Sequence, residues 1–584
     1  MKTEQATLKV DLSGNKAELE KKDVKTLSLE EKLGGFGNGV HVHKKNLEAN
    51  PDLVDAYDPR NILSIDIGFT TGSNLMTAKR TYISGMSPLK TSKKGTNGVM
   101  YSAASGDLGP AIRQTGLDSI QLIGKCDKPS YLYVENGKAE LKDASELISK
   151  TTHEKIKILA AKHEGAAYAV VGPAAEQRVR YASVAFSTFD QVKKGSRNMR
   201  FAGRGGMGAV MASKNLLAIV VKGDSNNKLD LGDIKDLNKE IGTGKKTDKY
   251  RKWGTYGSNI ETMDGIRAGI YNNFSENEDL RVKALFHDNL LASNYKIIDK
   301  GCVGCAIRCW KEIQKINGDG TNVVLGKIDY EPGSLLGPNI GIFNIEQTLE
   351  LIDMADSYGI DAMSTGVCLG FEMEKQNKLG DFEFAKELLK KIAAGEHPLK
   401  DGVFRYAGNA PNAMHAKGIE FAAYLGHLNP GYAFAIGGGH MTMDTYNKWC
   451  YKDEKSTATN SEEEWITNIV QGPRIILYDM NGICKFAKVD FDQVAKLYET
   501  AYGEQVTAGE LKEVAKLVNF RVRKIDESRG FGPEDEVMPA DCHKDLGFII
   551  PHFNTLEFFN KVKEGVYKKL AETEQEYRQR GLIS

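Results

Sequence analysis

The sequence predicts an α+β protein, a β-rich N-terminal region followed by a longer, mainly helical one. Two observations carry this. Up to about Gly223 the chain is rich in Gly, Thr, Ser and Val and reads mostly as strands. Beyond the polar stretch Asp224-Ser-Asn-Asn-Lys-Leu-Asp230, which reads as a linker, apolar residues recur at helical spacing. A chain of 584 residues buries a sizeable core without disulfide staples.

The elements follow in order. Ala6 to Leu19 alternates around Ser13-Gly14-Asn15 and predicts a hairpin. A second hairpin runs from Tyr131 to Leu141, with Asn136-Gly137 suited to a type I′ turn. Further strands are expected at 61–67, 80–84, 119–124, 167–171, 180–185 and 216–221, and a helix at 151–163. In the second region, residues 344–358 carry an apolar stripe of Ile345, Leu349, Ile352 and Ala355. Residues 381–394, 490–502, 508–528 and 556–577 repeat that pattern, while 452–464 reads as an exposed polar loop. No solenoid-type repeat is visible.

Composition excludes several classes. Lys+Arg and Asp+Glu each number 78, and this zero balance argues against a dedicated nucleic-acid binder. No stretch approaches the 18 apolar residues that a bilayer-spanning helix needs, and the N-terminus lacks a signal-peptide core. Eight cysteines are too few for a disulfide scaffold, so a cytoplasmic location is expected.

Three of those cysteines form Cys302-Val-Gly-Cys305-Ala-Ile-Arg-Cys309. One short loop can wrap three corners of an iron–sulfur cluster with such spacing. The fourth ligand of a [4Fe–4S] cluster would come from Cys126, Cys368, Cys450, Cys484 or Cys542. Zinc, which takes ligands in two separated pairs, and chance clustering of buried thiols are the other readings. Two further motifs match one another: Asp356-Ser-Tyr-Gly359-Ile-Asp361 and Asp479-Met-Asn-Gly482-Ile-Cys484. A Gly at the end of a helix and an Asp three residues earlier can present backbone and carboxylate groups to a ligand. The pair suggests a ligand with two similar halves. The glycine-rich segment Arg200-Phe201-Ala-Gly203-Arg204-Gly205-Gly206 could let backbone approach a phosphate, but it is neither a Walker A loop nor a dinucleotide fingerprint.

Together these motifs resemble the tungsten-containing aldehyde:ferredoxin oxidoreductase family, from about Gly34 to Glu527. The marks are G-R-G-G-M-G-A-V-M-A-S-K-N-L at 203–216, C-x2-C-x3-C at 302–309, Y-E-x-x-x-x-L-G-x-N-x-G at 330–341, and the two D-x-x-G motifs. The resemblance implies a two-sheet β domain at 1–223 as the base for a tungsten bis-pterin. Two helical domains, 224–422 and 423–584, would close over it. Asp356, Gly359 and Asp361 would serve one pterin, and Asp479, Gly482 and Ile483 the other. Arg80, Arg200, Phe201, Gly203, Arg204, Gly205 and Gly206 would also contact the cofactor, with Mg²⁺ between its phosphates. Cys302, Cys305, Cys309 and Cys484 would bind a [4Fe–4S] cluster. Glu331 and, allowing one gap, His440 match the family's catalytic pair.

The match departs in two places. The asparagine expected to contact magnesium aligns with Ala103, leaving Ser102, Ser105 or Asp107 as substitutes. The usual Y-D-P-R after K-G-x-E is Tyr424-Leu-Gly-His427 here. The leading expectation is aldehyde oxidation, with electrons passing to ferredoxin or a small iron–sulfur subunit. The alternatives are the catalytic subunit of an aromatic acyl-CoA reductase and a non-catalytic electron relay. The sequence leaves open tungsten or molybdenum, and a homodimer or a heteromeric complex.

Overall fold

The computed structural model describes residues 1–224, 227–437, 461–547 and 555–583. Its N-terminal region holds two six-stranded sheets. The first comprises β1 (Glu4–Asp11), β2 (Lys16–Asp23), β3 (Leu63–Ile67), β4 (Thr81–Thr91), β5 (Asn97–Ala104) and β6 (Ser119–Ile123). The second comprises β7 (Ser130–Glu135), β8 (Lys138–Asp143), β9 (Ala167–Val171), β10 (Val184–Phe186), β11 (Arg200–Ala202) and β12 (Leu216–Lys222).

The two sheets share one topology. The first runs β2-β1-β6-β3-β4-β5 and the second, read from its hairpin edge, β8-β7-β12-β9-β10-β11. Each has a single parallel pair, β1 with β6 and β7 with β12. A helix joins the second and third strands of each, Gly35–Ala49 and Thr152–Lys162. Another joins the fifth and sixth, Leu108–Gln114 and Met207–Ser213. The N-terminal region is therefore a duplicated unit.

The central strands of both sheets are packed on both faces, while the edge strands β2 and β8 are largely exposed. All five residues of β3, all five of β9 and all eleven of β4 are buried. Strands covered on both sides read as continuous apolar or small-residue runs, without the alternation of a half-exposed strand. The predicted hairpins are present, and Asn136 (φ 51°) and Gly137 (φ 73°) take the two left-handed conformations of a type I′ turn.

Helices dominate the remainder, including Ile345–Tyr358, Phe382–Ala393, Phe491–Tyr502, Ala508–Ser528 and Leu556–Gln579. One correction to the helical expectation stands out. A three-stranded antiparallel sheet, β13 (Tyr295–Lys300), β14 (Trp310–Ile316) and β15 (Asn322–Ile328), flanks the cysteine run. Cys302, Cys305 and Cys309 thus sit on the loop that joins β13 to β14. Among the described residues no helix is long and apolar enough to cross a membrane.

Candidate cofactor cavity and active site

The duplicated sheets place two equivalent loops, β3–β4 and β9–β10, against the two D-x-x-G motifs. Gly359 ends helix Ile345–Tyr358 in the left-handed region (φ 71°), and Gly482 ends helix Pro473–Asn481 likewise (φ 88°). After each glycine the same three contacts follow. Ser183 N donates to Gly359 O at 2.8 Å, and Arg80 N to Gly482 O at 3.2 Å. Ile360 forms a β-bridge with Ala182, and Ile483 with Ala78. Asp361 N then donates to Tyr181 O at 3.0 Å, and Cys484 N to Thr77 O at 3.1 Å. Two parts of the chain repeat one local geometry, an arrangement that suits a ligand with two similar halves.

A cavity of about 350 Å³ is lined by both D-x-x-G motifs. Arg80, Arg200, Arg204, Lys327 and Lys485 line it, with Asp329, Glu331, Asp356, Asp361 and Asp479. The acids of the twin motifs have different partners. Asp356 pairs with Lys327 Nζ at 2.8 Å, whereas Asp479 accepts the Tyr101 hydroxyl at 2.6 Å. Burial is the main reason why Asp356, Asp479 and Glu331 titrate above the ordinary carboxylate range; for Glu331, Lys485 and Arg204 oppose that rise.

The glycine-rich segment turns sharply at Gly205 (φ 76°) and Gly206 (φ 72°) before helix Met207–Ser213. A Cβ on Gly206 would stand 1.9 Å from the Arg180 carbonyl, so only glycine fits. The turn brings Arg204 onto Asp361, with Nη1 2.8 Å from Oδ2. Asp361 in turn caps helix Ala362–Lys375, accepting Met363 N at 3.1 Å and Ser364 N at 3.3 Å. Arg204 Nε is buried and has no partner among the described residues. Phe201 carries Lys327 over its ring at 4.8 Å, and Gly203 leaves room beside Asp361.

Arg80 bridges the cavity to the sulfurs: it lines the cavity, and its Nη2 lies 3.7 Å from Cys484 Sγ. Burial pushes the Cys305 thiol up to about 12 and the Cys309 thiol further, with Cys302 and Cys484 adding to both. All four thiols therefore share one electrostatic neighbourhood. Among the described residues no three or more His, Cys, Asp or Glu are arranged to hold a single metal ion. Arg200 lies between the sulfurs and the cavity, paired with Asp329 at 3.2 Å; despite burial, Asp329, Cys302 and Cys309 hold its charge firmly.

Glu331 opens helix Tyr330–Leu335 and faces the cavity. His440 lies outside the described residues. Of the three magnesium substitutes only Ser102 lines the cavity; Asp107 lines a separate recess. Sequence reasoning passed over Lys327, Asp329, Tyr101 and Lys485. Lys327 and Asp329 come at the end of the unexpected strand β15. Lys485, next to Cys484, offered only its adjacency as a signal.

These residues fit the expected groups. The orphaned guanidinium nitrogen of Arg204, in a lining of five cations and five carboxylates, suits a phosphate-bearing cofactor, and the doubled motifs suit one with two pterins.

Two family models match the chain: the aldehyde ferredoxin oxidoreductase N-terminal domain over residues 7–223, and domains 2 and 3 of the same family over 234–579. The tungsten-containing aldehyde ferredoxin oxidoreductase of Pyrococcus furiosus is 26% identical over 553 residues, 87% of this chain and 86% of its own. The aliphatic sulfonate oxidoreductase, WOR-like subunit, of the same organism is 26% identical over 84% of this chain and 81% of its own. Among solved structures, the active site complex BamBC of benzoyl coenzyme A reductase with 1,5-dienoyl-CoA superposes with a TM-score of 0.73. At 22% identity, and covering 99% of both chains, that likeness shows the fold.

Proposed function

Because the chain belongs to the aldehyde ferredoxin oxidoreductase family, we propose that it oxidises an aldehyde to a carboxylic acid at a tungsten bis-pterin. Aldehyde and water yield the acid, two protons and two electrons, and the electrons leave through a [4Fe–4S] cluster to ferredoxin or an iron–sulfur partner. The observation that carries the reading is the pair of matching loop-on-motif contacts beside one cavity lined by five cations and five carboxylates. When bound, the tungsten pterin supplies the two-electron oxidation and the cluster its one-electron exit. Arg204 and Arg200 hold anionic groups of the cofactor, Asp356 and Asp479 accept hydrogen bonds from the two pterins, and Arg80 spans from the cavity to Cys484. Cys302, Cys305, Cys309 and Cys484 are the cluster ligands.

Glu331 is the proposed base. Its desolvated carboxylate takes a proton from the water that adds to the substrate carbonyl. His440 is its proposed partner, polarising that carbonyl. A second reading, reduction of an aromatic acyl-CoA thioester, draws on the cavity wall: Tyr424 and Tyr330 stand with ring centroids 5.4 Å apart, a surface for a planar ring.

Metal analysis and a viologen-linked assay test the proposal. About one tungsten or molybdenum and about four irons per chain, with aldehyde-dependent dye reduction, are expected. Turnover of aromatic thioesters alone would favour the second reading. Iron without tungsten or molybdenum would leave an electron relay and sink both.

A further inference from the structure

Behind the cavity wall, Ser364 sits between two carboxylates. Its side chain is fully buried, and its Oγ lies 2.8 Å from Asp361 Oδ2 and 2.8 Å from Glu420 Oε2. A hydroxyl has one proton to donate. If both acids were ionised, one of these contacts would set lone pair against lone pair in a buried site. One acid therefore carries a proton and donates it to Ser364, and Ser364 donates its own to the other.

The remaining contacts say which acid that is. Asp361 Oδ2 also accepts Arg204 Nη1 at 2.8 Å and Ser364 N at 3.3 Å, and its Oδ1 accepts Met363 N at 3.1 Å. Glu420, at the end of the short strand Ile419–Glu420, accepts Val403 N on Oε1 at 3.0 Å. Arg204 directs Nη1 to Asp361 and Nη2 to the main-chain oxygen of Glu420, not to its carboxyl. Burial pushes the Glu420 carboxyl up, against the pull of Ser364 and Arg204. Cys368 and Tyr181, which also face it, are themselves pushed up by burial.

The charges point the same way. Arg204 and Asp361 cancel. An ionised Glu420 would leave this cluster net negative beside a cavity that five carboxylates already line. A neutral Glu420 leaves it uncharged, with the unpartnered Arg204 Nε as a spare donor.

We propose that Glu420 is a positioning residue for Arg204, a carboxylic acid that keeps its proton at neutral pH and donates it to Ser364. The chain Glu420 to Ser364 to Asp361 fixes the carboxylate that holds Nη1, while the Glu420 carbonyl holds Nη2. The guanidinium is thereby clamped with Nε left for an anionic group of the cofactor. That last consequence rests on the cofactor reading above; the protonation of Glu420 does not.

Two variants of the full-length holoenzyme test this. Glu420→Gln reproduces the protonated acid, accepting from Val403 N and donating to Ser364; Glu420→Met has similar length and no donor. An infrared difference spectrum at pH 7, wild type minus Glu420→Gln, should show the C=O stretch of a protonated carboxyl, shifted in D2O. Metal analysis should find the ratio of tungsten plus molybdenum to iron held within about twofold in Glu420→Gln and lowered about tenfold in Glu420→Met, with iron content and circular dichroism kept. Absence of the protonated-carboxyl band overturns the proposal. So does a Gln variant that loses the pterin metal as fully as the Met variant, because a charge would then be needed, or a Met variant that keeps it. Wild-type protein with iron but no tungsten or molybdenum sinks the cofactor reading, and the infrared band then decides the state of Glu420 by itself.

Discussion

Glu331 combines a place in the cavity with an unfavourable environment for its charge. Glu331→Gln should lower kcat by about 10²- to 10⁴-fold with tungsten and iron content retained. A base must be deprotonated to act, and burial lifts this carboxyl above its ordinary 4.5. Activity should therefore fall as pH drops, with an inflection above 4.5 that disappears in the Gln variant; a pH profile of kcat/KM in both proteins checks this. Tyr424 makes a separate case. Truncation to Ala opens the wall beside Tyr330, so KM for aromatic aldehydes should rise several-fold more than KM for short aliphatic ones in steady-state assays. The paired motifs were legible because D-x-x-G, a common turn by itself, occurs twice with matching flanks. Lys327 and Lys485 were not, because a lysine in a polar stretch looks the same whether it faces water or a cavity.

At the scale of elements, the helix-ending glycines bear the strain. A Cβ on Gly482 would lie 2.3 Å from Thr71 Oγ1, in a backbone conformation at φ 88° that L-residues avoid. Gly482→Ala should cost at least about 2 kcal/mol and loosen the Cys484 loop. A lower thermal midpoint together with faster iron loss to a chelator would register both effects. Gly318→Ala, at a hairpin tip with nothing within 4 Å, should change neither. The long helices were readable from their apolar stripes. Sheet β13–β15 was not, since β13 mixes Lys296, Asp299 and Lys300 with Ile297 and Ile298 and fits no clean period. The duplication was hidden for another reason: only its topology and contacts repeat, and the paired loops 68–80 and 172–183 share almost no residues.

The whole molecule carries a built-in pH response. His43 and His415 are buried and held neutral, their pKa values lowered by desolvation from 6.5 to about 4. Below 6.5 the unfolded chain binds protons that the folded chain refuses until about pH 4. The two histidines' contribution to stability is therefore intact above 6.5 and is lost as pH falls between 6.5 and 4, by about 3 kcal/mol per histidine at most. The thermal midpoint should drop between pH 7.5 and pH 5, and His43→Gln should flatten that slope. The balance of 78 cations and 78 anions announced none of this, because net charge ignores where a group is buried. The division into a β-rich and a helical part did show in the sequence, because the change from alternation to 3.6-residue stripes is a bulk property that survives local errors.

The segment Gly68–Arg80 is stitched by its backbone to Asn481, Gly482 and Cys484, residues some four hundred positions later. During synthesis that seam cannot form until the chain has been made as far as Cys484. On the proposed ligand set the fourth sulfur is therefore the last to emerge, and the four-cysteine site is complete only once that seam has closed.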